Sequence, residues 1–411
     1  MIVEITQPEY GGTFHAIPQA TPRYVLPGEV VDLNPFTILT PSPNRTQPLC
    51  PHFGTCGGCD YQHATYPTQL ALKQQILHQT LKSQALTNLP NIQTHPSPPW
   101  EYRNRIRLRV ETIAGEPKFG YNRRATHDFL PIETCPISAP ILLRAANALI
   151  NLTHQNPLAA RWLPSIAEVE FHASNNESTL QMTILTRDAR TQGFADLCTA
   201  LAATLPELTG AGTLPTTAGA KERAQWGQPG LTQQVANQNY WVTRGAFFQI
   251  NRKLSEKMLE IATANQSGPL AWDLYAGVGL FARVLTQSFT KVIAVESAEP
   301  AATDLARTPK HIKNLQAIRQ PTEEFLRTAL LQRDRPDSIV MDPPRAGLGP
   351  ETTRLLARIR APRLTYVSCD PTTLARDLRI LVDSGYRITE THLLDMFPQT
   401  FHIETIVLLE L

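Results

Sequence analysis

The spacing of apolar and polar positions changes near Phe247. Beyond it, short apolar runs alternate with helical spacing: helix over 254–264, strand over 270–274, helix over 280–287, strands over 292–295, 338–341 and 364–367, and helix over 372–383. Short apolar strands interleaved with helices predict βαβ units and an open parallel sheet. Between Trp100 and about Gly193, strands are expected at Ile106–Val110, Phe119–Tyr121, Glu168–Ala173 and Leu180–Thr186, with a helix near Ile141–Leu152. Residues 211–240, rich in Thr, Gln, Gly and Pro, predict a long surface connection that ends in a returning strand at Tyr240–Val242. Towards the N-terminus lie short β-like runs (Val3–Ile5, Tyr24–Leu26, Gly28–Val31), a Gly11-Gly12 turn, helical spacing over Pro67–Leu81 and a Pro-rich stretch at His95–Pro99. The expected fold class is α/β in three parts: a short N-terminal β segment (1–48), a β-rich central domain (49–245) and a C-terminal Rossmann-like sheet domain (246–411).

Charge refines this picture only locally. The 411 residues carry 38 basic and 36 acidic side chains, 29 of the former being Arg and 9 Lys. Net charge therefore names no partner, while arginine's planar fork suits phosphate. No apolar run reaches membrane-spanning length and no basic-then-apolar leader is visible, so a cytoplasmic protein without membrane association is expected. In a cytosolic chain of this size, clustered cysteines point to metal binding or catalysis before disulfides.

Three groups of residues carry candidate chemistry. A strand ending at Val367 delivers Cys369 to a turn, and Glu404 opens another apolar run; a thiol nucleophile with a carboxylate base suits attack on an unactivated ring carbon followed by deprotonation. Asp273 ends a strand ahead of Ala276-Gly277-Val278-Gly279, and Glu296 ends the next strand 23 residues on, the spacing of a carboxylate that holds ribose hydroxyls. The glycine pattern lacks the full dinucleotide fingerprint, which argues against NAD. Asp342-Pro343-Pro344 is a rigid strand end aimed at the ligand crevice. Finally, Cys50, Cys56, Cys59 and Cys135 can bring four thiolates to one site, for which spacing alone leaves zinc and an iron–sulfur cluster equally open.

Together these residues resemble the RNA uracil-5-methyltransferase family. The likeness runs from about Pro48 onward through Cys50-Pro-His-Phe-Gly-Thr-Cys56-Gly-Gly-Cys59, Tyr102-Arg103-Asn104, Cys135-Pro136-Ile137, Phe247-Phe248-Gln249-Ile250-Asn251, Asp273-Leu-Tyr-Ala-Gly-Val-Gly279, Asp342-Pro-Pro-Arg-Ala-Gly347, Tyr366-Val-Ser-Cys369 and Asp395-Met-Phe-Pro398 with Glu404. The resemblance implies a class I methyltransferase domain that takes S-adenosyl-L-methionine and makes 5-methyluridine in RNA, either large-subunit (23S) rRNA or tRNA. It implies Cys369 as the nucleophile that adds to uracil C6, Glu404 as the base for the C5 proton, and Asp342 and Gln249 as orienting groups. Tyr275, Gly277, Gly279, Leu280 and Glu296 would line the cofactor. For the four cysteines it implies a [4Fe–4S] cluster in preference to zinc. No obligate protein partner is implied.

The chain departs from the family pattern in places. Asp370 follows the nucleophile where Asn is frequent, and Phe401 stands where a small residue is common. Gln320-Pro321-Thr322 replaces a polar adenine contact. The N-terminal RNA-binding barrel (TRAM) is shortened after Val30 and what remains is acidic, which predicts little contribution to RNA affinity. RNA contacts are expected instead from Arg103, Arg105, Arg107 and Arg109, which alternate and share one face if on a strand, and from Arg123 and Arg124 beside Phe119 and Tyr121. Two other readings compete: a methyltransferase acting on an exocyclic amine, which needs no cysteine, and a non-catalytic RNA-binding protein, against which the intact Cys369, Glu404, Asp342 and Gln249 argue.

Overall fold

The computed structural model describes residues 1–217, 219–308 and 312–411. The chain opens with β1 (Ile2–Pro8), β2 (Phe14–Ile17), β3 (Val30–Leu33) and β4 (Phe36–Thr40), an antiparallel sheet in the order β2-β1-β3-β4. Alternation in β1 buries Val3 and Ile5 with Phe14, Ala16 and Val31 in a small core that Tyr61 completes. Tyr24–Leu26, expected as a strand, is a loop: Tyr24 adopts left-handed backbone at φ 61° and breaks the extended run.

After the cysteine segment come α1 (Tyr66–Ser83) and β5 (Ile92–His95). Both lie inside the span expected for the central domain, yet both pack with the C-terminal one. Ile76, Leu77 and Leu81 of α1 join its core, and β5 adds a parallel edge strand to its sheet.

The central unit contains β6 (Arg105–Ile113), β7 (Glu116–Asn122), β8 (Phe129–Pro131), α2 (Pro140–Gln155), α3 (Pro157–Ala160), β9 (Ile166–Ala173), β10 (Leu180–Thr186), α4 (Phe194–Thr204), β11 (Leu208–Pro215) and β12 (Ala224–Gly227). Its strands form one seven-stranded sheet, β12-β11-β10-β9-β6-β7-β8, with α2 and α4 in its apolar core. A hairpin of β13 (Gly230–Val235) and β14 (Gln238–Thr243) follows.

The expected surface connection over 211–240 is therefore wrong: most of it is strand. Some of its inward positions are filled by residues that carry no apolar signal, which interrupts the alternation of Leu231, Val235, Tyr240 and Val242. Gln233 is buried and donates to Ala173 O at 2.9 Å, with the His172 ring also at 2.9 Å from its amide. Gly210 and Gly212 are strand positions where a Cβ would lie 1.9 Å from Gln228 O and 1.6 Å from the Glu222 carboxylate. Close approach, not a turn, explains those glycines.

The last unit comprises α5 (Ser255–Thr263), β15 (Gly268–Leu274), α6 (Leu280–Leu285), β16 (Phe289–Val295), α7 (Ala301–Arg307), β17 (Leu315–Ile318), α8 (Thr322–Gln332), β18 (Ser338–Met341), α9 (Gly349–Ile359), β19 (Arg363–Ser368), α10 (Pro371–Asp383), β20 (Arg387–Leu394) and β21 (Glu404–Glu410). Strand order is β17-β16-β15-β18-β19-β21-β20-β5, parallel from β17 to β19, with β21 antiparallel to both of its neighbours. Apolar cores lie on both faces of this sheet, as continuous apolar strands require. This is the expected Rossmann-like methyltransferase sheet. Among the described residues no helix is long and apolar enough to cross a membrane.

Candidate active site

The parallel strands β15, β16, β18 and β19 end on one side of the sheet, where ligands of open α/β folds bind. At the end of β15, Asp273 is fully buried and its Oδ2 accepts from Ala282 N at 2.8 Å. Its Oδ1 has no partner among the described residues, and burial holds its carboxyl well above the usual range. Tyr275 (φ 59°) and Gly277 (φ 56°) turn the chain through left-handed backbone, and open space faces the Gly277 Cα. At Gly279, the residue before α6, the left-handed backbone (φ 90°) favours glycine. Glu296, at the end of β16, ties this turn down: its Oε2 accepts from Gly277 N at 2.8 Å, and its Oε1 from Ser297 N and Ala298 N at 2.7 Å each. Leu280 is buried beside it. The residues expected for the cofactor thus cluster at the ends of β15 and β16, around the turn that Glu296 ties down.

Register brings Cys369 and Glu404 together. β19 and β21 pair with Ser368 opposite Thr405, so Cys369 and Glu404, the next residue on each side, face each other at the sheet's carboxyl end. Asp342 comes from the end of the neighbouring β18, and Gln249 donates to its Oδ2 at 3.2 Å. Asp370 caps α10, its Oδ1 accepting from Thr372 N at 2.9 Å and Thr373 N at 3.1 Å, which fixes the turn that holds the thiol. Asp at this position does the capping that an Asn would do.

The electrostatics are those of a buried thiol among carboxyls. Burial, then the Glu404 and Asp342 charges, pushes the Cys369 thiol up to about 12, opposed by Arg345. Burial raises Glu404 well above the carboxylate range, with Asp342 adding to it and Arg345 opposing. Burial likewise pushes Asp342 up to about 7 against the Gln249 hydrogen bond. Arg345 is thus a cation that opposes the rise at both Cys369 and Glu404, a role the Asp-Pro-Pro-Arg motif contains but sequence reasoning did not single out.

The segment 395–402, which leads into Glu404, is bolted from behind. Lys73 and Asp395 form a fully buried ion pair at 2.6 Å, and Lys73 also donates to Phe397 O at 2.9 Å. Gln69 and Gln399 exchange two hydrogen bonds at 2.9 and 3.0 Å. Asn251 donates to Met396 O at 3.0 Å, Tyr102 to Pro398 O at 3.1 Å, and the amides of Asp60 and Tyr61 to Gln399 O at 2.8 and 2.9 Å. The periodicity of α1 does not reveal Lys73 as a buried residue, because its partner lies 322 residues away.

Cys50, Cys56, Cys59 and Cys135 line one cavity of about 380 Å³, walled by Ile106, Tyr121 and Arg103. All four are free thiols. Burial and the neighbouring thiols push Cys50, Cys56 and Cys59 up, the last to about 12. Among the described residues no three His, Cys, Asp or Glu side chains converge as the ligands of a single ion do. The donor chemistry is soft thiolate throughout, and the cavity is wide.

The arginines divide. On β6, Arg105 and Arg107 pair with Glu170 at 4.0 and 3.5 Å, Arg107 also with Glu168 at 3.7 Å, and Arg109 with Glu111. This face is largely neutralised by β9. Arg103 precedes the strand and lines the cysteine cavity. Arg124 pairs with Asp60 at 2.9 Å and donates to Cys59 O at 2.9 Å, clamping the cysteine segment. Arg123 is exposed and in no ion pair among the described residues.

The family model described as tRNA (uracil-5-)-methyltransferase matches residues 65–411. An uncharacterized RNA methyltransferase of Clostridium acetobutylicum is 27% identical, over 93% of this chain and 86% of that protein. The 23S rRNA (uracil(1939)-C(5))-methyltransferase RlmD of Vibrio parahaemolyticus is 29% identical, over 91% and 84%. The crystal structure of the Pyrococcus abyssi tRNA (uracil-54, C5)-methyltransferase in complex with S-adenosyl-L-homocysteine superposes with a TM-score of 0.78 over 100% of both chains, at 20% identity.

Proposed function

The chain belongs to the tRNA (uracil-5-)-methyltransferase family, and on that premise we propose that it methylates C5 of one uridine in RNA, using S-adenosyl-L-methionine. The observation that carries the reading is the register of β19 and β21, which sets Cys369 against Glu404 with Asp342 alongside.

The residues at these strand ends suit the cofactor: Glu296, Tyr275, Gly277, Gly279 and Leu280 would hold it, with Asp342 and Gln249 completing the set. When bound, the cofactor supplies an electrophilic methyl group on a cationic sulfur. Cys369, as thiolate, adds to uracil C6, and the displaced electron pair makes C5 nucleophilic. After C5 has taken the methyl group, Glu404 removes the C5 proton, and the electrons of that bond expel the Cys369 thiolate from C6. One uridine gains a methyl and one proton is released. Arg345 opposes the carboxylates' effect on the thiol, and the target base must leave its stack to reach it.

Large-subunit rRNA is the first candidate substrate, because the relative at 29% identity is named for 23S rRNA; tRNA is the second. We assign Cys50, Cys56, Cys59 and Cys135 to a [4Fe–4S] cluster, a reading supported by the family resemblance of their spacing and by the four cysteines lining one cavity. Methyl transfer consumes no electrons, so a cluster there would hold the segment next to Asp60 in place.

The test uses labelled S-adenosylmethionine with unmodified 23S rRNA and tRNA transcripts, followed by nucleoside mass spectrometry, with Cys369→Ala in parallel. Labelled 5-methyluridine that disappears in the variant is expected. Label in a different nucleoside, or transfer that survives Cys369→Ala, contradicts the reading.

A further inference from the structure

Tyr10 lies in the turn between β1 and β2, far in sequence from the proposed catalytic residues. In the structure its ring meets Phe401 edge to face, with centroids 5.5 Å apart and planes at 83°. Phe401 in turn lies 4.3 Å from the His402 ring, which also contacts Phe397 at 5.6 Å. The Tyr10 hydroxyl faces the Asp370 carboxylate, within electrostatic reach of Cys369 and Arg345. Arg345 is exposed and approaches His402 at 3.3 Å. Burial and Arg345 push His402 down to about 4, so it is a neutral ring at physiological pH.

This contact is built, not incidental. Asp60 receives Arg23 of the N-terminal segment at 3.4 Å and the Phe401 amide at 3.4 Å, so one buried carboxylate joins the N-terminal segment to the Phe401 backbone. Gln79 of α1 bonds Gln7 of β1 at 3.1 Å, and a Cβ on Gly12 would already lie 3.0 Å from Asp60. The turn is thus packed against the segment that carries Asp60.

We propose that Tyr10, Phe401 and Arg345 form a clamp for the nucleotide adjacent to the reacting uridine. Its base stacks on the aromatic pair and its phosphate meets the guanidinium. The inference rests on the reading of Cys369 as the site of a flipped uridine. A uridine over the thiol lies inside the site, whereas Tyr10 and Phe401 are only partly buried and sit at its mouth. Flipping one base exposes its neighbour, which needs a replacement stack; aromatic faces supply that without regard to sequence. A shortened and acidic N-terminal segment would thus act on RNA through one aromatic side chain instead of a basic surface.

The test is binding of single-stranded RNA hexamers with a central uridine and 2-aminopurine placed on its 5′ or 3′ side. Stacking quenches 2-aminopurine fluorescence. Wild-type protein should quench one of the two probes; Tyr10→Ala and Phe401→Ala should each abolish the quench and weaken binding roughly tenfold, while Tyr10→Phe keeps both. No quench by the wild type, or a quench unchanged in both alanine variants, overturns the clamp. Tyr10→Phe behaving like Tyr10→Ala also overturns it, since the hydroxyl and not the ring would then matter. Two alanine variants on separate segments, each checked by thermal melting, guard against a folding artefact. If the wild type quenches but methylates no uridine, the clamp stands and the uridine reaction fails.

Discussion

Two cysteine environments in this molecule are built on opposite plans. The four-cysteine cavity is local: three of its thiols lie between residues 50 and 59, and Cys135 closes it. The Cys369 site is assembled across the chain, from the ends of β18, β19 and β21 and from Gln249. Burial raises the thiols in both. At Cys369 the neighbours that add to the rise are the carboxylates of Glu404 and Asp342, and a cation, Arg345, opposes them; in the cavity the neighbours are chiefly other thiols. A single thiol among titrating carboxylates is arranged for proton traffic. Four thiols among themselves fit the cluster site proposed for them.

The largest expected effect separates the two sites outright. Cys369→Ala should lower methyl transfer by at least about a thousandfold with an unchanged melting temperature. Cys59→Ser should instead lower the melting temperature and the iron content of anaerobically purified protein. Activity lost in both with equal stability would erase the distinction. Next in size is the bolt behind the catalytic segment. Lys73→Met leaves Asp395 buried without its partner and should cost about 3–5 kcal/mol of stability by urea unfolding.

A smaller effect sharpens the electrostatic half of the comparison. Glu404 charge raises the Cys369 pKa, so Glu404→Gln should lower it and speed alkylation of Cys369 by iodoacetamide at fixed pH, leaving the cavity thiols unaffected. The same variant tests linkage. Glu404 has a folded pKa above its unfolded one, so the folded state holds the proton more tightly. Its burial therefore costs nothing below the unfolded pKa and destabilises increasingly as pH rises through the folded value. Glu404→Gln should melt about 1 to 3 °C higher than wild type at pH 8 and equally at pH 4. The smallest effect concerns the β6 arginines. Arg107→Gln should change RNA affinity less than about twofold, because its charge is already spent on Glu168 and Glu170.

That last pair shows where sequence reading succeeds and fails. Apolar strands such as β15, β18 and β19 announce themselves, and with them the turns that carry Gly277, Asp342 and Cys369. The one-sided arginine spacing on β6 was equally visible, but its neutralising partners sit on β9, some sixty residues on, and only strand pairing reveals them. The returning strand at Tyr240–Val242 was legible, but the strands over 208–235 were hidden because buried Gln233 and the tightly packed Gly210 and Gly212 interrupt the apolar alternation. Lys73 against Asp395, and Tyr10 against Phe401, are meetings of distant segments that no local pattern encodes.

The most direct test of the central claim is capture of the adduct itself. RNA carrying 5-fluorouridine at the target position presents a C5 fluorine that no base can remove as a proton, so elimination of the thiol is blocked. The account predicts a denaturation-stable protein–RNA species that forms only with S-adenosylmethionine and maps by peptide mass spectrometry to Cys369. A linkage at any of Cys50, Cys56, Cys59 or Cys135, or no linkage in a preparation that methylates unsubstituted RNA, would contradict it.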